Sequence, residues 1–346
     1  MNNVKIEETT EFTIKEIYGV IERKVTTFGS GAKMDCSEEF LGRRVYLTII
    51  KDDGCPTLLV CIKFIRLYGI KKGGIMTKYN IEGRYVYVKQ YDLEVYYEIG
   101  GNLLNSSNTV VFIHAAASDS RLWHDMVRLL PSEYRYIMVD LPGHGKTFPI
   151  NWKPIYEKKY YVQFMKNFID VIDLQNFALC GDAIGARISL MFGATIDEKR
   201  LRGLILFEPS DYISGDWYGP LGSLEKDFPD ALSISRWFLK LASSRIPHEA
   251  VSKISWLPLS NAYHVDLADL YQASLDVKKW LSNIDCFVAL IRGIDDPLVS
   301  LKDLQEMKNS LKKAEITEIN LAGHFAPLEN PKASADAIID ILNKIF

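Results

Sequence analysis

The chain has 346 residues, of which 48% are hydrophobic and 25% are charged, and its formal net charge at pH 7 is −3. This length suits one medium domain plus a small one, and the small net charge gives no general reason to expect binding to nucleic acid or to an anionic membrane. Five scattered cysteines without a metal-type CxxC pair favour reduced thiols and a cytoplasmic location. The polar, acidic N-terminus is not typical of a signal peptide, and no apolar run is long enough to span a bilayer, so no membrane contact is expected.

The first 53 residues have the pattern of a small β-rich domain. Alternating and β-branched residues predict strands, with a glycine-rich turn at 29–31, and the predicted strands are residues 13–18, 22–28 and 44–50. Residues 54–78 have no clear periodicity and are interpreted as a linker or fusion junction. Because Lys71–Met76 can be encoded as a ribosome-binding sequence followed by a start codon, we hypothesise that two originally separate reading frames are joined here.

From residue 79 onward, strand patterns alternate with helix patterns. This alternation predicts an α/β fold with a mostly parallel sheet that is covered by helices on both faces. The longest interval between strands, about 213–283, is helical in texture and rich in aromatic residues, and it predicts a helical cap. The predicted strands are residues 85–89, 93–99, 110–113, 136–139, 177–180, 204–207, 287–291 and 316–321.

A glycine-spaced pentapeptide, residues 181–185 (GDAIG), follows the strand at 177–180 and precedes a helical run. A strand, a sharp small-residue turn and a helix are the context of the nucleophile elbow G-x-S-x-G. The central position, however, is Ala183, and a methyl group cannot attack a carbonyl carbon or carry a covalent intermediate. Cys180 lies on the strand before the turn, which favours a core thiol over a replacement nucleophile.

Four further motifs stand in a fixed order around the elbow: His114 after a strand, the segments 140–147 (DLPGHGKT) and 293–299 (GIDDPLV), and the segment 323–331 (GHFAPLENP). With the elbow, they make residues 79–346 resemble the α/β-hydrolase superfamily, specifically its esterase, C–C-bond hydrolase and dehalogenase-like branch. No metal or organic cofactor is expected, because the sequence has no metal-ligand cluster, no P-loop and no dinucleotide fingerprint.

The resemblance also implies a role for each matching residue. Ala183 occupies the place of the nucleophile, Asp296 that of the triad acid and His324 that of the general base. The backbone N–H groups of Ile184 and Ala116 would form the oxyanion hole. The neighbouring Asp295 competes with Asp296 for the acid position, and the spacing from the preceding glycine favours Asp296.

Three other polar side chains near these motifs have a structural interpretation. His114 and His144 are expected to be satisfied by nearby backbone groups, and Asp182 is expected to point away from the site. These expectations follow from their places beside the loop and elbow motifs.

The segment Val25–Leu47 resembles short AbrB-like swapped-hairpin proteins that are associated with transposons, over about residues 10–53. The resemblance implies an intertwined homodimer and contact with DNA through Arg23, Lys24 and Lys33. Residues 1–53 contain eight Lys and Arg but ten Asp and Glu, which is a poor balance for neutralising phosphates. A dimerisation module or a vestigial module without DNA contact is therefore an equal alternative.

Function is therefore predicted as that of a carboxylester, acyl-bond or C–C-bond hydrolase by descent, whose serine-type covalent catalysis is lost at Ala183. Its expected ligand is a small-molecule ester or acyl compound. Chemistry that remains would use His324 and Asp296, by activating a water or abstracting a proton. The alternatives are a non-catalytic ligand-binding or DNA-linked regulatory protein that uses the old pocket, and a decayed gene product.

Overall fold

The computed structural model describes residues 25–28, 31–34, 44–50, 59–65, 81–102, 108–147, 160–209, 231–261 and 278–346. The chain divides into two compact units, residues 1–78 and residues 79–346. Each unit is described by itself below.

The N-terminal unit contains two antiparallel strand pairs. The first pair is β1 (Val25–Phe28) with β2 (Gly31–Met34), and the second is β3 (Arg44–Ile50) with β4 (Leu59–Ile65). Strand β4 lies inside the stretch 54–78 that is predicted to be a linker, and its pairing with β3 extends the β-structure beyond residue 53. The strand predicted at 13–18 lies outside the described residues.

The second unit is built on one eight-stranded sheet with the order β12-β11-β10-β9-β7-β8-β6-β5. Strands β7 to β12 are parallel to one another, whereas the β5–β6 and β6–β8 pairs are antiparallel. Their bounds are β5 Glu82–Val88, β6 Leu93–Gly101, β7 Thr109–Ile113, β8 Arg135–Val139, β9 Phe177–Asp182, β10 Leu201–Phe207, β11 Phe287–Gly293 and β12 Ala314–Ile319.

Helices cover both faces of this sheet, which confirms the predicted fold class. Short 3₁₀ turns lie at Lys89–Tyr91, Ser120–Trp123 and Lys278–Asn283. The α-helices are α1 His124–Val127, α2 Tyr160–Val171, α3 Ile184–Thr195, α4 Ala231–Leu241, α5 His248–Asn261, α6 Leu301–Ser310, α7 Ala326–Glu329 and α8 Pro331–Ile345. Among the described residues, no helix combines the length and the apolar character needed to cross a bilayer.

The core sits on the central strands of the sheet. Every residue of β7 and β9 is buried, as expected for parallel strands that are covered on both faces. Trp123 and Phe112 are among the largest side chains with less than 2% exposure, and their rings lie 5.0 Å apart. Since all the parallel strands run the same way, the residues that follow β7 to β12 collect at one edge of the sheet, where open α/β sheets place their ligands.

Two helices, α4 and α5, lie in the chain between β10 and β11 and are called the inserted helices below. They fall within the predicted cap of about 213–283. Residues 210–230 and 262–277 of that segment lie outside the described residues, as do the aromatic residues Trp217, Tyr218, Tyr263 and Tyr271. The hydroxyl of Ser235 on α4 donates to the carbonyl oxygen of Ser255 on α5 at 2.8 Å, which ties the inserted helices together.

Candidate active site

A sharp turn joins β9 to α3 and holds Ala183 at its apex. Ala183 has φ 50° and ψ −108°, a backbone conformation that costs a residue with a side chain on the order of 1–3 kcal/mol. The Ala183 N–H donates to the carbonyl oxygen of Phe207 at 3.0 Å, and its carbonyl oxygen accepts from the Arg187 N–H at 3.1 Å. The turn is thus anchored to both β10 and α3, and it has the geometry of the predicted nucleophile elbow.

Two glycines make this turn sterically possible. A Cβ atom added at Gly181 would lie 2.2 Å from the carbonyl carbon of Gly185, and one added at Gly185 would lie 2.1 Å from the carbonyl oxygen of Ile113. Real Cβ atoms do not approach backbone atoms so closely. The glycine spacing therefore allows α3 to begin directly against the end of β7, which places the elbow beside the loop that follows Ile113.

Backbone N–H groups border the elbow at the positions expected for an oxyanion hole. Ile184 is the first residue of α3, so its N–H has no intrahelical acceptor. Within the described residues, neither the Ile184 N–H nor the Ala116 N–H has a hydrogen-bond acceptor. Both residues are buried, and the neighbouring Ala117 adopts φ 49°. The two predicted oxyanion-hole donors are therefore without a protein acceptor in the part of the chain that the structure describes.

The structure brings His324 and Asp296 together, although 28 positions separate them in the chain. Nδ1 of His324 lies 3.0 Å from Oδ2 of Asp296, and both residues are buried. Oδ1 of Asp296 accepts the Leu298 N–H at 2.7 Å, which holds the carboxylate in place. Burial lowers the pKa of His324, but Asp296 and two further carboxylates, Asp182 and Glu329, outweigh burial, so its pKa lies above the ordinary 6.5.

Asp295, the competing carboxylate, forms hydrogen bonds to residues other than His324. Its Oδ2 accepts from the Ser243 hydroxyl and from Nη2 of Arg245, each at 2.6 Å, and these contacts lower its pKa. The imidazole of His324 therefore faces Asp296, the carboxylate that the spacing favours.

A pair of buried carboxyl groups, Asp182 and Glu208, lies behind the elbow. Both residues are fully buried. They lie side by side because Asp182 pairs with Phe207 at the ends of β9 and β10, and Glu208 directly follows Phe207. Oε1 of Glu208 accepts the Gly293 N–H at 3.3 Å. Burial raises the pKa of Asp182 to about 7, and burial and then the Asp182 charge raise that of Glu208. One shared proton stabilises such a pair.

The sequence predicts that Asp182 points away from the site, and it assigns no role to Glu208. The structure instead places Asp182 close enough to His324 and Asp296, and Glu208 close enough to Asp296, for their charges to interact. The signal available in the sequence was the position of Glu208 directly after a buried parallel strand, at the edge where the site residues collect.

Glu329 is a third carboxylate, which lies within the 323–331 motif but receives no role from the sequence. Its Oε2 accepts the N–H groups of Gly323 and Ser243, each at 2.8 Å, and its Oε1 accepts the Phe325 N–H at 2.9 Å. Burial raises its pKa against the lowering effect of these hydrogen bonds. It supports the backbone on both sides of His324.

The two remaining histidines near the motifs are bonded to the backbone, in keeping with their structural interpretation. Nδ1 of His114 bonds the carbonyl oxygen of Ala115 at 2.8 Å, and Nε2 accepts the Leu141 N–H at 3.0 Å. Nδ1 of His144 lies 3.3 Å from the carbonyl oxygen of Pro142. Burial lowers the pKa of His114 to about 4 and, together with His114, that of His144 to about 3, so both are neutral at pH 7.

Cys180 does not replace the missing nucleophile, and the part of the chain that the structure describes contains no metal centre. Cys180 is fully buried on β9, and burial holds its pKa well above the ordinary value, which suits an unreactive core thiol. Within the described ranges, no group of three or more His, Cys, Asp or Glu side chains is arranged to hold a metal ion.

Two family models match the chain. Residues 108–240 match "alpha/beta hydrolase fold", and residues 4–53 match "Putative transposon-encoded protein". The second match fits the transposon-associated part of the N-terminal resemblance. The swapped-hairpin architecture of that part stays a prediction.

Three comparisons show what the chain resembles. A serine hydrolase-like protein of Danio rerio is 27% identical over 123 residues, which are 36% of this chain and only 37% of that protein. Monoacylglycerol lipase abhd6-B of Xenopus laevis is 23% identical over 79% of this chain and 83% of that protein. A thermophilic esterase from Thermogutta terrifontis, solved with malate bound, superposes with a TM-score of 0.66 at 21% identity over 76% of this chain and 99% of that one. With the strand order and the elbow geometry, these similarities show that residues 79–346 have the α/β-hydrolase fold, and residues 108–240 match the model of that family.

Proposed function

We propose that residues 79–346 bind carboxylic esters or related acyl compounds at the elbow and do not hydrolyse them through a covalent acyl-enzyme. One observation carries this proposal: the chain combines a hydrogen-bonded His324–Asp296 pair with a strained elbow whose apex residue, Ala183, has only a methyl group. The ester class follows from the esterase and lipase named among the similar proteins.

The missing hydroxyl has a large chemical consequence. In serine hydrolases the histidine takes the proton of the serine hydroxyl as the oxygen attacks the acyl carbon, and loss of the nucleophile costs about a millionfold in kcat. About 10³- to 10⁴-fold acceleration over water survives through the oxyanion hole and binding. Two-step hydrolysis is therefore absent in the natural chain.

Residual chemistry would follow one route, through the His324–Asp296 pair. His324, oriented by Asp296, would accept a proton from a water that attacks the acyl carbon, and the alkoxide would leave with that proton. The raised pKa of His324 favours the protonated imidazole, which cannot accept a proton, so this route would gain rate as the pH rises through that pKa.

The test is to restore the hydroxyl. We expect Ala183→Ser to raise kcat for short-chain p-nitrophenyl esters by about 10²-fold or more over the natural chain. The same variant should form a covalent adduct with a fluorophosphonate, detected as a mass increase of the intact protein. Ala183→Gly changes the same position without adding a nucleophile and should do neither.

The proposal depends on His324, so the double variant Ala183→Ser/His324→Ala should lose the gained activity. A natural chain that hydrolyses esters rapidly, and that keeps this rate when His324 is replaced, would contradict the proposal. If the natural chain is silent but short-chain esters raise its Tm, the ligand-binding part of the proposal is supported.

A further inference from the structure

We propose that Glu329 is a positioning residue that holds the His324 loop and the end of inserted helix α4 in one arrangement, so that the imidazole and the inserted helices move together. Glu329 lies at the site of the proposed function, and the biological meaning of this role rests on that function. Its test needs no hydrolysis, so it stands or falls separately from the ester proposal.

Hydrogen bonds to Glu329 hold the His324 loop on both sides of the imidazole. The carboxylate accepts the N–H groups of Gly323 and Phe325, the residues on either side of His324, at 2.8 and 2.9 Å. Glu329 itself is 3% exposed. A buried carboxylate that bonds both flanking N–H groups fixes the backbone from which the imidazole projects.

The same carboxylate also contacts the inserted helices. The Oε2 atom that accepts the Gly323 N–H also accepts the Ser243 N–H at 2.8 Å, just beyond the end of α4. The His324 N–H donates to the carbonyl oxygen of Leu241, the last residue of α4, at 3.0 Å. Glu329 thus joins the His324 loop to a segment that lies 86 positions earlier in the chain.

The His324 loop and the end of α4 are in close steric contact. A Cβ atom added at Gly323 would lie 2.5 Å from the carbonyl oxygen of Leu241 and 2.6 Å from the Ser243 nitrogen. The ring of Phe238 on α4 lies 5.2 Å from that of Phe325. A shift of α4 therefore displaces the backbone on both sides of His324.

Charge supplies a second effect of the same residue. Three carboxylates act on the imidazole and favour its protonated form: Asp296, which is hydrogen-bonded to it, then Asp182 and Glu329. The imidazole pKa therefore reports how close the Glu329 carboxylate lies to His324, and the amide titration below reports whether the same carboxylate also binds the end of α4.

The first experiment uses the unmodified protein. Backbone amide proton shifts of Ser243, Gly323 and Phe325 are followed by NMR as the pH changes. We expect all three to include a transition with one common midpoint, which reports ionisation of their shared acceptor. A Ser243 amide that does not follow this midpoint overturns the link to α4.

The second experiment compares Glu329→Gln with Glu306→Gln, an exposed glutamate on α6 whose carboxylate lies 3.9 Å from Lys302. The pKa of His324 is measured by NMR, with the resonance assigned by its loss in His324→Asn. We expect Glu329→Gln to lower this pKa by about half a unit or more and Glu306→Gln to leave it unchanged. An unchanged pKa in folded Glu329→Gln overturns the proposal. If that variant does not fold, the amide titration of the unmodified protein decides.

Discussion

Asp182 and Glu208 place two carboxyl groups together in a fully buried setting at the ends of neighbouring strands. Two negative charges there would repel each other without solvent screening, so the folded protein retains a proton on the pair. This proton lowers the negative charge beside His324, which already has Asp296 as a partner. The pair is a source of pH-dependent stability.

Asp182→Asn tests this effect. The folded pKa of Asp182, about 7, lies above its ordinary 3.8, so the folded state binds this proton more tightly than the unfolded state. The contribution of Asp182 to the free energy of unfolding is therefore fully present below about pH 4 and is lost as the pH rises through about 7. We expect the natural chain to lose on the order of 2–4 kcal/mol relative to Asp182→Asn over this range.

Urea unfolding at a series of pH values measures the difference between the two proteins. Asp340→Asn, at an exposed position on α8, is the control and should follow the natural chain at every pH. Parallel curves for the natural chain and Asp182→Asn would show that the carboxyl pair does not retain a proton.

Some residues of the candidate site could be predicted from the sequence, and others could not. The turn at position 183 and the contact between His324 and Asp296 could be predicted, because each of these residues follows a strand within a recognisable short motif. The contact between Asp182 and Glu208 could not, because it depends on β9 lying beside β10 in the sheet. The role of Glu329 depends on α4 returning to the His324 loop, a contact between distant segments that leaves no local pattern.

At the scale of elements, the β9–α3 unit depends on two glycines more than on its apolar residues. All residues of β9 are buried, and α3 begins one residue after Ala183, the apex of the turn. Gly185 lies where the first turn of α3 contacts backbone atoms of β7. A side chain at this position would separate the elbow from the loop that follows Ile113.

We expect Gly185→Ala to lower the free energy of unfolding by about 1–3 kcal/mol, because its Cβ would lie 2.1 Å from the Ile113 carbonyl oxygen. Gly193→Ala, on the same helix, is the matched control. Its Cβ would lie 3.0 Å from the tip of the Leu204 side chain, and alanine favours the helix interior by up to ~1 kcal/mol, so little net change is expected. Chemical unfolding of both variants gives the comparison, and equal losses would contradict the role given to Gly185.

Elements were predictable where their pattern was local. Buried parallel strands such as β7 and β9 have continuous apolar runs, and their bounds agree with the predicted ones within two residues. Strand β4 was not predicted, because residues 59–65 mix apolar and basic side chains without a clear period. Strand β4 forms by pairing with β3, and the sequence pattern of residues 59–65 alone does not reveal that pairing.

At the scale of the whole molecule, the chain consists of two units with separate sequence relationships. The match to transposon-encoded proteins ends at residue 53, whereas the α/β-hydrolase match starts at residue 108. Every strand of the eight-stranded sheet, and every residue of the candidate site, lies after residue 79. Met76 would supply a start for a chain that contains this unit alone.

A chain of residues 76–346 is therefore expected to fold without the first unit. Its Tm should lie within about 4 °C of that of the full chain, since at this size a change of 1 kcal/mol shifts Tm by roughly 2–4 °C. A chain of residues 93–346 is the control, because it lacks β5, which forms a complete antiparallel ladder with β6 and buries Val88 in the core. We expect that shorter chain to unfold at a markedly lower temperature or to aggregate, since β6 would become an open edge. Scanning calorimetry of the three proteins measures these differences. A large loss of Tm already in residues 76–346 would mean that the two units depend on each other for stability, which would argue against the hypothesis that two independent reading frames were joined near Met76.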